Sequence, residues 1–203
     1  MKRILNLLLV IFLAVSTAGC MMTSERPIIA EDDSVKIPDF SGEYQVNLGF
    51  GLAINKVSNN IYHMDTLPLG PESVRFELRL WPLAAADYFI VQSGSQGEDY
   101  ALQVFQRRGS KLEVKMITKS LAETTLAMDA AGSAKLSDEE KQELMKLVAA
   151  YKDLLKKHNI KTSSGDDSRL KSGTNFKDLL AFFDEALTVN GLTVDSYSLD
   201  KQQ

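Results

Sequence analysis

The sequence predicts an α+β domain, in which an antiparallel β-meander or partial barrel of about six strands is followed by two or three covering helices. Residues 40–118 consist of short apolar or alternating segments separated by turn residues, a pattern typical of antiparallel strands. Residues 121–190 instead carry apolar residues at helical spacing and have recognisable helix ends. The overall composition, 44% hydrophobic and 25% charged, is ordinary for a globular protein.

The predicted strands are joined by short connections. They cover residues 42–46, 52–57, 61–64, 75–80, 88–92, 100–107 and 111–118. The last two form the best-defined hairpin, because Gly109-Ser110 suits a type II′ turn with positive φ at the glycine. A two-residue loop then places Phe105 opposite Val114 and Arg107 opposite Leu112. A final edge strand is predicted over residues 192–199, after a polar loop at 162–173 and the second long helix.

Two helices have clear end signals. The first is predicted from a capping box formed by Ser137 and Glu140 to about His158, with Asn159 taking the left-handed conformation that ends it. Its apolar stripe contains Leu144, Leu147, Val148, Tyr151, Leu154 and Leu155. The second helix covers about 174–190, and Phe182 falls off its apolar face, which predicts a half-exposed side chain. Residues 121–131, rich in Ala and Leu, predict a weaker third helix.

The first twenty residues have the pattern of a secretory signal. Lys2 and Arg3 precede an apolar run at 4–15, and small residues at 16–19 lead to Cys20, the one cysteine in the chain. The apolar run is too short to span a bilayer of about 30 Å comfortably.

The small residues followed directly by Cys20 resemble the lipobox of bacterial lipoproteins, although Thr17 stands where that family usually has Leu. The resemblance implies cleavage before Cys20, diacylation of its thiol and acylation of its new amine, with palmitate as a typical chain. Met21, in place of the Asp that retains such proteins at the inner membrane, favours the outer membrane and a domain facing the periplasm. In a Gram-positive source the outer face of the cytoplasmic membrane would replace it.

The predicted organisation is therefore a signal peptide at 1–19, a lipidated N-terminus and flexible tether at 20–38, and one domain at 39–203. The domain is β-rich over 39–119 and helix-rich over 120–203. About eighteen flexible residues would reach roughly 20–25 Å from the membrane. An alternative is that Ile28, Ile29 and Ala30 dock on the domain.

Charge and cysteine content exclude several classes of function. Loss of Lys2 and Arg3 leaves 21 basic against 27 acidic side chains, so nucleic acid is not an expected partner. Membrane attachment must then come from the acyl chains. With Cys20 acylated no thiol remains for a disulfide, a nucleophile or a metal site.

The remaining candidate residues have simple structural explanations. His63 and His158 lack partners at ligand spacing, so neither a metal nor a cofactor is predicted. Ser93-Gly94-Ser95-Gln96-Gly97 lies between two strands and fails the spacing of a nucleophile elbow, so no catalytic residue is assigned. The acids at 138–140 and 143 suit a helix N-terminus. Asp166-Asp167 lacks the spaced acids and the glycine of a calcium loop.

The segments Asp87-Tyr88-Phe89-Ile90-Val91-Gln92 and Tyr100-Ala101-Leu102-Gln103-Val104 resemble small uncharacterised lipoproteins of Gram-negative bacteria, in which a short β-meander precedes one or two helices. The resemblance implies a fold and no activity. We therefore expect a non-enzymatic, membrane-anchored lipoprotein of the cell envelope with a structural or binding role and an envelope protein as partner. The alternatives are a carrier of a small apolar ligand within a curved sheet, or an envelope enzyme with unidentified carboxylates.

Overall fold

The computed structural model describes residues 22–32, 34–70, 73–95, 99–133, 135–163 and 166–202. The predicted signal peptide and Cys20 lie outside these residues. The described part contains three helices and eleven strands. The helices are α1 (Lys119–Ala130), α2 (Asp138–Lys157) and α3 (Phe176–Ala186). The strands are β1 (Met22–Ser24), β2 (Gly42–Val46), β3 (Gly51–Lys56), β4 (Ile61–Leu67), β5 (Arg75–Pro82), β6 (Tyr88–Gly94), β7 (Tyr100–Arg108), β8 (Lys111–Ile117), β9 (Thr162–Ser163), β10 (Asp166–Leu170) and β11 (Thr193–Lys201).

Eight of these strands close into an antiparallel barrel. Strands β2 to β8 follow one another as a meander, and β11 pairs with both β8 and β2 to complete the ring. The α+β class is thus confirmed, and the sheet is closed rather than partial. The prediction of an edge strand after the last helix was wrong, because Leu199 faces Leu112 on one side and Val46 on the other.

The hairpin predicted at Gly109 is present. Gly109 has φ of 62°, Phe105 faces Val114 and Arg107 faces Leu112. This register follows from the two-residue turn and fixes which side chains point inward. Arg107 is therefore carried on the inward-facing row, at the end of the barrel that holds the turn.

The barrel interior is filled by large apolar side chains. Phe40 meets Phe89 edge to face, with ring centroids 5.1 Å apart. The buried cluster comprises Phe40, Tyr44, Val46, Leu52, Ile54, Tyr62, Leu78, Leu80, Phe89, Val91, Phe105, Leu112, Val114 and Leu199. Packing of this kind excludes water and stabilises each large side chain by roughly 1.5–3 kcal/mol. The described residues thus form a solid core inside the barrel.

Two helices cover the outer wall of the barrel. Helix α2 begins with the predicted capping box, in which Ser137 Oγ accepts from the Glu140 N–H and the Glu140 carboxylate accepts from the Ser137 N–H. Asn159 ends it with φ of 52°. A second apolar cluster joins this layer to outward-facing residues of β6 and β7. It includes Ile90, Leu102, Val104, Tyr151, Leu154, Leu155, Leu179, Phe182 and Phe183.

The prediction of a half-exposed Phe182 was wrong. The side chain is fully buried, and its ring meets those of Tyr151, His158 and Phe183 edge to face at 5.8, 6.5 and 5.3 Å. The apolar face of α3 is wide enough to include Phe182 because the helix lies between α2 and the barrel wall. The polar loop predicted at 162–173 also differs, since it forms β9 and β10, and β10 runs parallel to β1.

The N-terminal segment is not a flexible tether over its described residues. Met22–Ser24 form β1, which pairs antiparallel with residues 100–102 of β7. Strand β8 pairs with residues 104–108 on the same edge of β7, so β1 and β8 lie one after the other along it. Ile29 is fully buried in the helix-side cluster. The alternative in which the apolar residues at 28–29 dock on the domain is the one observed.

Candidate functional site

The N-terminal segment is held against the barrel wall by Gln92 of β6. Its side-chain carbonyl accepts hydrogen bonds from the backbone N–H groups of Ile28 and Ile29 at 2.8 and 3.0 Å. Its amide donates to Ser24 Oγ at 2.9 Å and to the Arg26 carbonyl at 3.2 Å. Gln92 is fully buried, and its bonds to Ile29 and Ser24 are shielded from water. We call residues 22–32 the strap.

Two further side chains hold the end of the strap. Asn60, also fully buried, accepts from the Asp32 N–H at 3.1 Å and donates to the Ala30 carbonyl at 2.9 Å. Arg79 of β5 donates to the Ile29 carbonyl at 3.1 Å. These bonds satisfy backbone groups that have no strand partner, which is the condition for ordering an irregular segment on a protein surface. The strap is therefore part of the folded domain.

The strap leads to a depression at the end of the barrel. Its volume is about 230 Å³, and its lining residues are Asp39, Phe40, Tyr44, Arg107, Gly109, Ser110, Leu112 and Lys201. Phe40 and Leu112 form its apolar floor, since both belong to the interior cluster. Three charged side chains surround that floor, which gives the depression an apolar base and an ionic rim. We call it the end pocket.

The charged groups of the end pocket are held in different ways. The Asp39 carboxylate accepts from the Ser41 N–H at 2.9 Å, and hydrogen bonds from Ser41 together with the charges of Lys201 and Lys56 lower its pKa. The Lys201 ammonium donates to the Ser41 carbonyl. The Arg107 guanidinium lies over the Phe40 ring, with its central carbon 5.9 Å from the ring centroid. The Asp39 carboxylate is thus ionised at neutral pH.

The buried Tyr44 and the partly buried Tyr197 make the domain sensitive to alkali. Burial raises the pKa of Tyr44, whose hydroxyl donates to the Phe40 carbonyl at 2.8 Å, to about 12. Burial also raises the pKa of Tyr197, which bonds to Gln103, to about 12. In the unfolded chain, both tyrosines ionise near pH 10. In the folded protein, they stay neutral to a higher pH.

We expect this contribution to be complete below about pH 10 and to be lost as the pH rises toward about 12, since unfolding then releases protons. Each tyrosine should account for on the order of 2 kcal/mol of that loss. Urea unfolding at pH 9 and pH 11.5 measures the effect. In Tyr44→Phe, the free energy of unfolding should fall less between pH 9 and pH 11.5, because the contribution of Tyr44 is absent. An equal fall in wild type and variant would contradict the raised pKa of Tyr44.

The histidines and acids considered in the sequence lie apart from the end pocket. His63 is on β4, opposite Asn55 and Glu77. His158 caps α2, and its Nε2 lies 2.8 Å from a carboxylate oxygen of Glu185, whose pKa is lowered by Lys157 and by His158. Residues 138–140 lie in the first turn of α2, as predicted. The Ser93–Gly97 segment is described only to Ser95, at the end of β6.

Cys20, the predicted lipidation site, lies outside the described residues, two positions before the start of β1. Within the described ranges, no group of three or more His, Cys, Asp or Glu side chains is arranged to hold a metal ion. In the same part of the chain no helix has the length and apolar character needed to cross a bilayer. Sequence reasoning missed the end pocket, because Phe40, Arg107 and Lys201 come from three distant parts of the chain.

Comparison with protein-family models, with curated proteins and with solved structures finds no match to this chain.

Proposed function

We propose that this chain is a lipoprotein of the bacterial cell envelope, anchored through acyl chains on Cys20 in the outer membrane and exposed to the periplasm. Its role is structural or binding rather than enzymatic. The observation that carries the proposal is the position of Cys20, the one cysteine, at the end of the signal-like segment and two residues before an ordered strand. A secretory signal, an acylated residue and a folded domain then follow one another without a gap.

The strap changes the geometry expected for such an anchor. A flexible tether of eighteen residues would let the domain move roughly 20–25 Å from the bilayer. With β1 paired from Met22 onward, only residue 21 separates Cys20 from the sheet. The length of one residue is about 3.5 Å. The proposed lipoprotein therefore holds its domain directly against the headgroups.

The filled barrel supports a structural or binding role over carriage of an apolar ligand inside the sheet. Ligand-carrying barrels of eight strands keep an open interior. Here Phe89, Phe105 and Tyr62 occupy that space, and all three are buried to within 5% exposure. An enzymatic role would call for convergent acid and base groups, and the carboxylate of the end pocket is instead committed to Ser41.

Expression of Cys20→Ser tests the anchor. The variant cannot be acylated, so we expect unprocessed precursor or soluble protein in place of a membrane-bound form that begins at acylated Cys20. Intact-mass measurement of the membrane fraction distinguishes these products. Thr17→Leu, which brings the segment closer to the lipoprotein pattern, is the matched control and should be processed and acylated. A mature wild-type protein with an unmodified N-terminus at another residue would overturn the proposal.

A further inference from the structure

Arg107 differs from the other arginines of the described strands. Arg75, Arg79, Arg108 and Arg169 each lie within ion-pair distance of a carboxylate, on Asp65, Glu77, Glu113 and Glu25 respectively. Arg107 has no such partner among the described residues, although it is half-buried and carried on the inward-facing row of β7. A partly buried cation is normally paired. Among the described residues, Arg107 instead lines the end pocket without an ion-pair partner.

The hydrogen-bonding capacity of Arg107 is also largely unused within the described part. Its Nε donates to the Gly109 carbonyl at 3.3 Å, which is a long bond. The guanidinium has five N–H donors in a planar fork, and the structure gives no acceptor for its two terminal nitrogens among the described residues. The guanidinium lies over the Phe40 ring, within the distance at which a cation is attracted to an aromatic face. Within the described residues, Arg107 thus contacts the ring while its terminal donors have no acceptor.

Asp39 does not supply the missing anion. Its carboxylate is occupied by Ser41, and no ion pair joins it to Arg107 within the described residues. Lys201 places a second cation at the rim, so the pocket has two positive charges against one committed negative charge. The balance favours a ligand with a single negative charge. The apolar floor formed by Phe40 and Leu112 favours a short hydrocarbon portion next to that charge.

We propose that the end pocket binds a small carboxylate-bearing molecule, with the Arg107 fork receiving the carboxylate and Phe40 and Leu112 contacting a short apolar body. A planar guanidinium can donate two parallel hydrogen bonds to one carboxylate. Such charge-assisted pairs are among the strongest hydrogen bonds in proteins. A volume of about 230 Å³ admits a molecule of a few carbon atoms. This site is independent of the lipid anchor proposed above.

Titration of the folded mature domain with sodium propionate, followed by backbone amide NMR, tests the proposal. Sodium chloride at the same ionic strength is the reference titration. We expect saturable shifts confined to residues around the pocket, with Gly109 and Ser110 most affected. Arg107→Gln should weaken binding at least tenfold. Arg108→Gln is the matched control, since Arg108 is the exposed neighbour paired with Glu113, and it should bind propionate like wild type.

Three results would overturn the proposal. Linear shifts identical in propionate and chloride would show only general salt effects. Equal propionate affinity in wild type and Arg107→Gln, with both folded by circular dichroism, would exclude the guanidinium as the anchor. Saturable binding of inorganic phosphate without binding of propionate would show that the ligand class is wrong.

Discussion

Phe182→Ala should lower the free energy of unfolding by about 3–5 kcal/mol, since truncation of a fully buried phenylalanine loses transfer free energy and leaves a cavity. Phe182 has no exposed surface and contacts rings on both α2 and α3. It is therefore at the centre of the layer that joins the helices to the barrel. A domain of this kind is stable by about 5–15 kcal/mol in total, so the loss is large. Urea unfolding of the two proteins measures it.

Two companion variants make this result interpretable. Phe182→Leu keeps much of the volume and should recover most of the stability. Met145→Ala changes a residue of α2 that is 53% exposed and should stay within about 0.5 kcal/mol of wild type. If Phe182→Ala unfolded at the wild-type urea concentration, the helix layer would not be packed as described.

Gln92→Leu should lower the free energy of unfolding by about 2–4 kcal/mol. The leucine removes the acceptor for the Ile28 and Ile29 N–H groups and the donor to Ser24, and each buried polar group left unsatisfied costs about 1–3 kcal/mol. If the strap detaches, its backbone N–H groups can form hydrogen bonds with water instead. We therefore expect the strap to detach in the variant. Trypsin should then cleave after Lys36 faster than in wild type, while the barrel stays intact.

Gln45→Leu is the control for this prediction. Gln45 is an exposed glutamine on β2, and its amide bonds only to the nearby Phe50 carbonyl. The same chemical change should therefore alter stability by no more than about 0.5 kcal/mol. Equal effects of the two substitutions, or a Gln92 variant that resists trypsin like wild type, would mean that the strap does not depend on Gln92.

Local signals in the sequence predicted most of the individual elements. Gly109 fixed the turn and register of the β7–β8 hairpin, and Ser137, Glu140 and Asn159 marked the ends of α2. These features depend on the backbone geometry of a few consecutive residues, so the identities of those residues are enough to predict them. The separation into a β-rich and a helix-rich part follows from the change in hydrophobic period near residue 119.

Features that depend on distant pairing were not predictable in the same way. The edge-strand prediction failed because β11 pairs with β2, about 150 residues earlier in the chain. Phe182 was predicted to be half-exposed because it lies off the apolar stripe of α3. It is buried because α3 packs against both α2 and the barrel wall. Docking of Ile28 and Ile29 was only an alternative in the sequence, because the groups that bind the strap backbone are distant along the chain. They are Gln92 and Arg79 on strands and Asn60 in the turn before β4.

The two candidate sites also differ in whether their residues are close together in the sequence. Cys20 could be singled out because the residues that resemble a lipobox are contiguous in sequence. The end pocket could not, since Phe40, Arg107 and Lys201 meet only when the barrel closes. Within the described residues, the lack of a carboxylate partner for Arg107 becomes visible only by comparison with the four strand arginines that have one.

In the proposed lipoprotein, an acylated Cys20 is joined to the barrel through an ordered strap. Hydrogen exchange of the detergent-extracted mature protein, read by mass spectrometry on its N-terminal peptide, tests it most directly. We expect the peptide to begin at Cys20 with the mass of its acyl chains, and the amides of Ile28, Ile29 and Asp32 to be protected by Gln92 and Asn60. A peptide without acyl chains, or an acylated one that exchanges as fast as a free chain, would contradict the account.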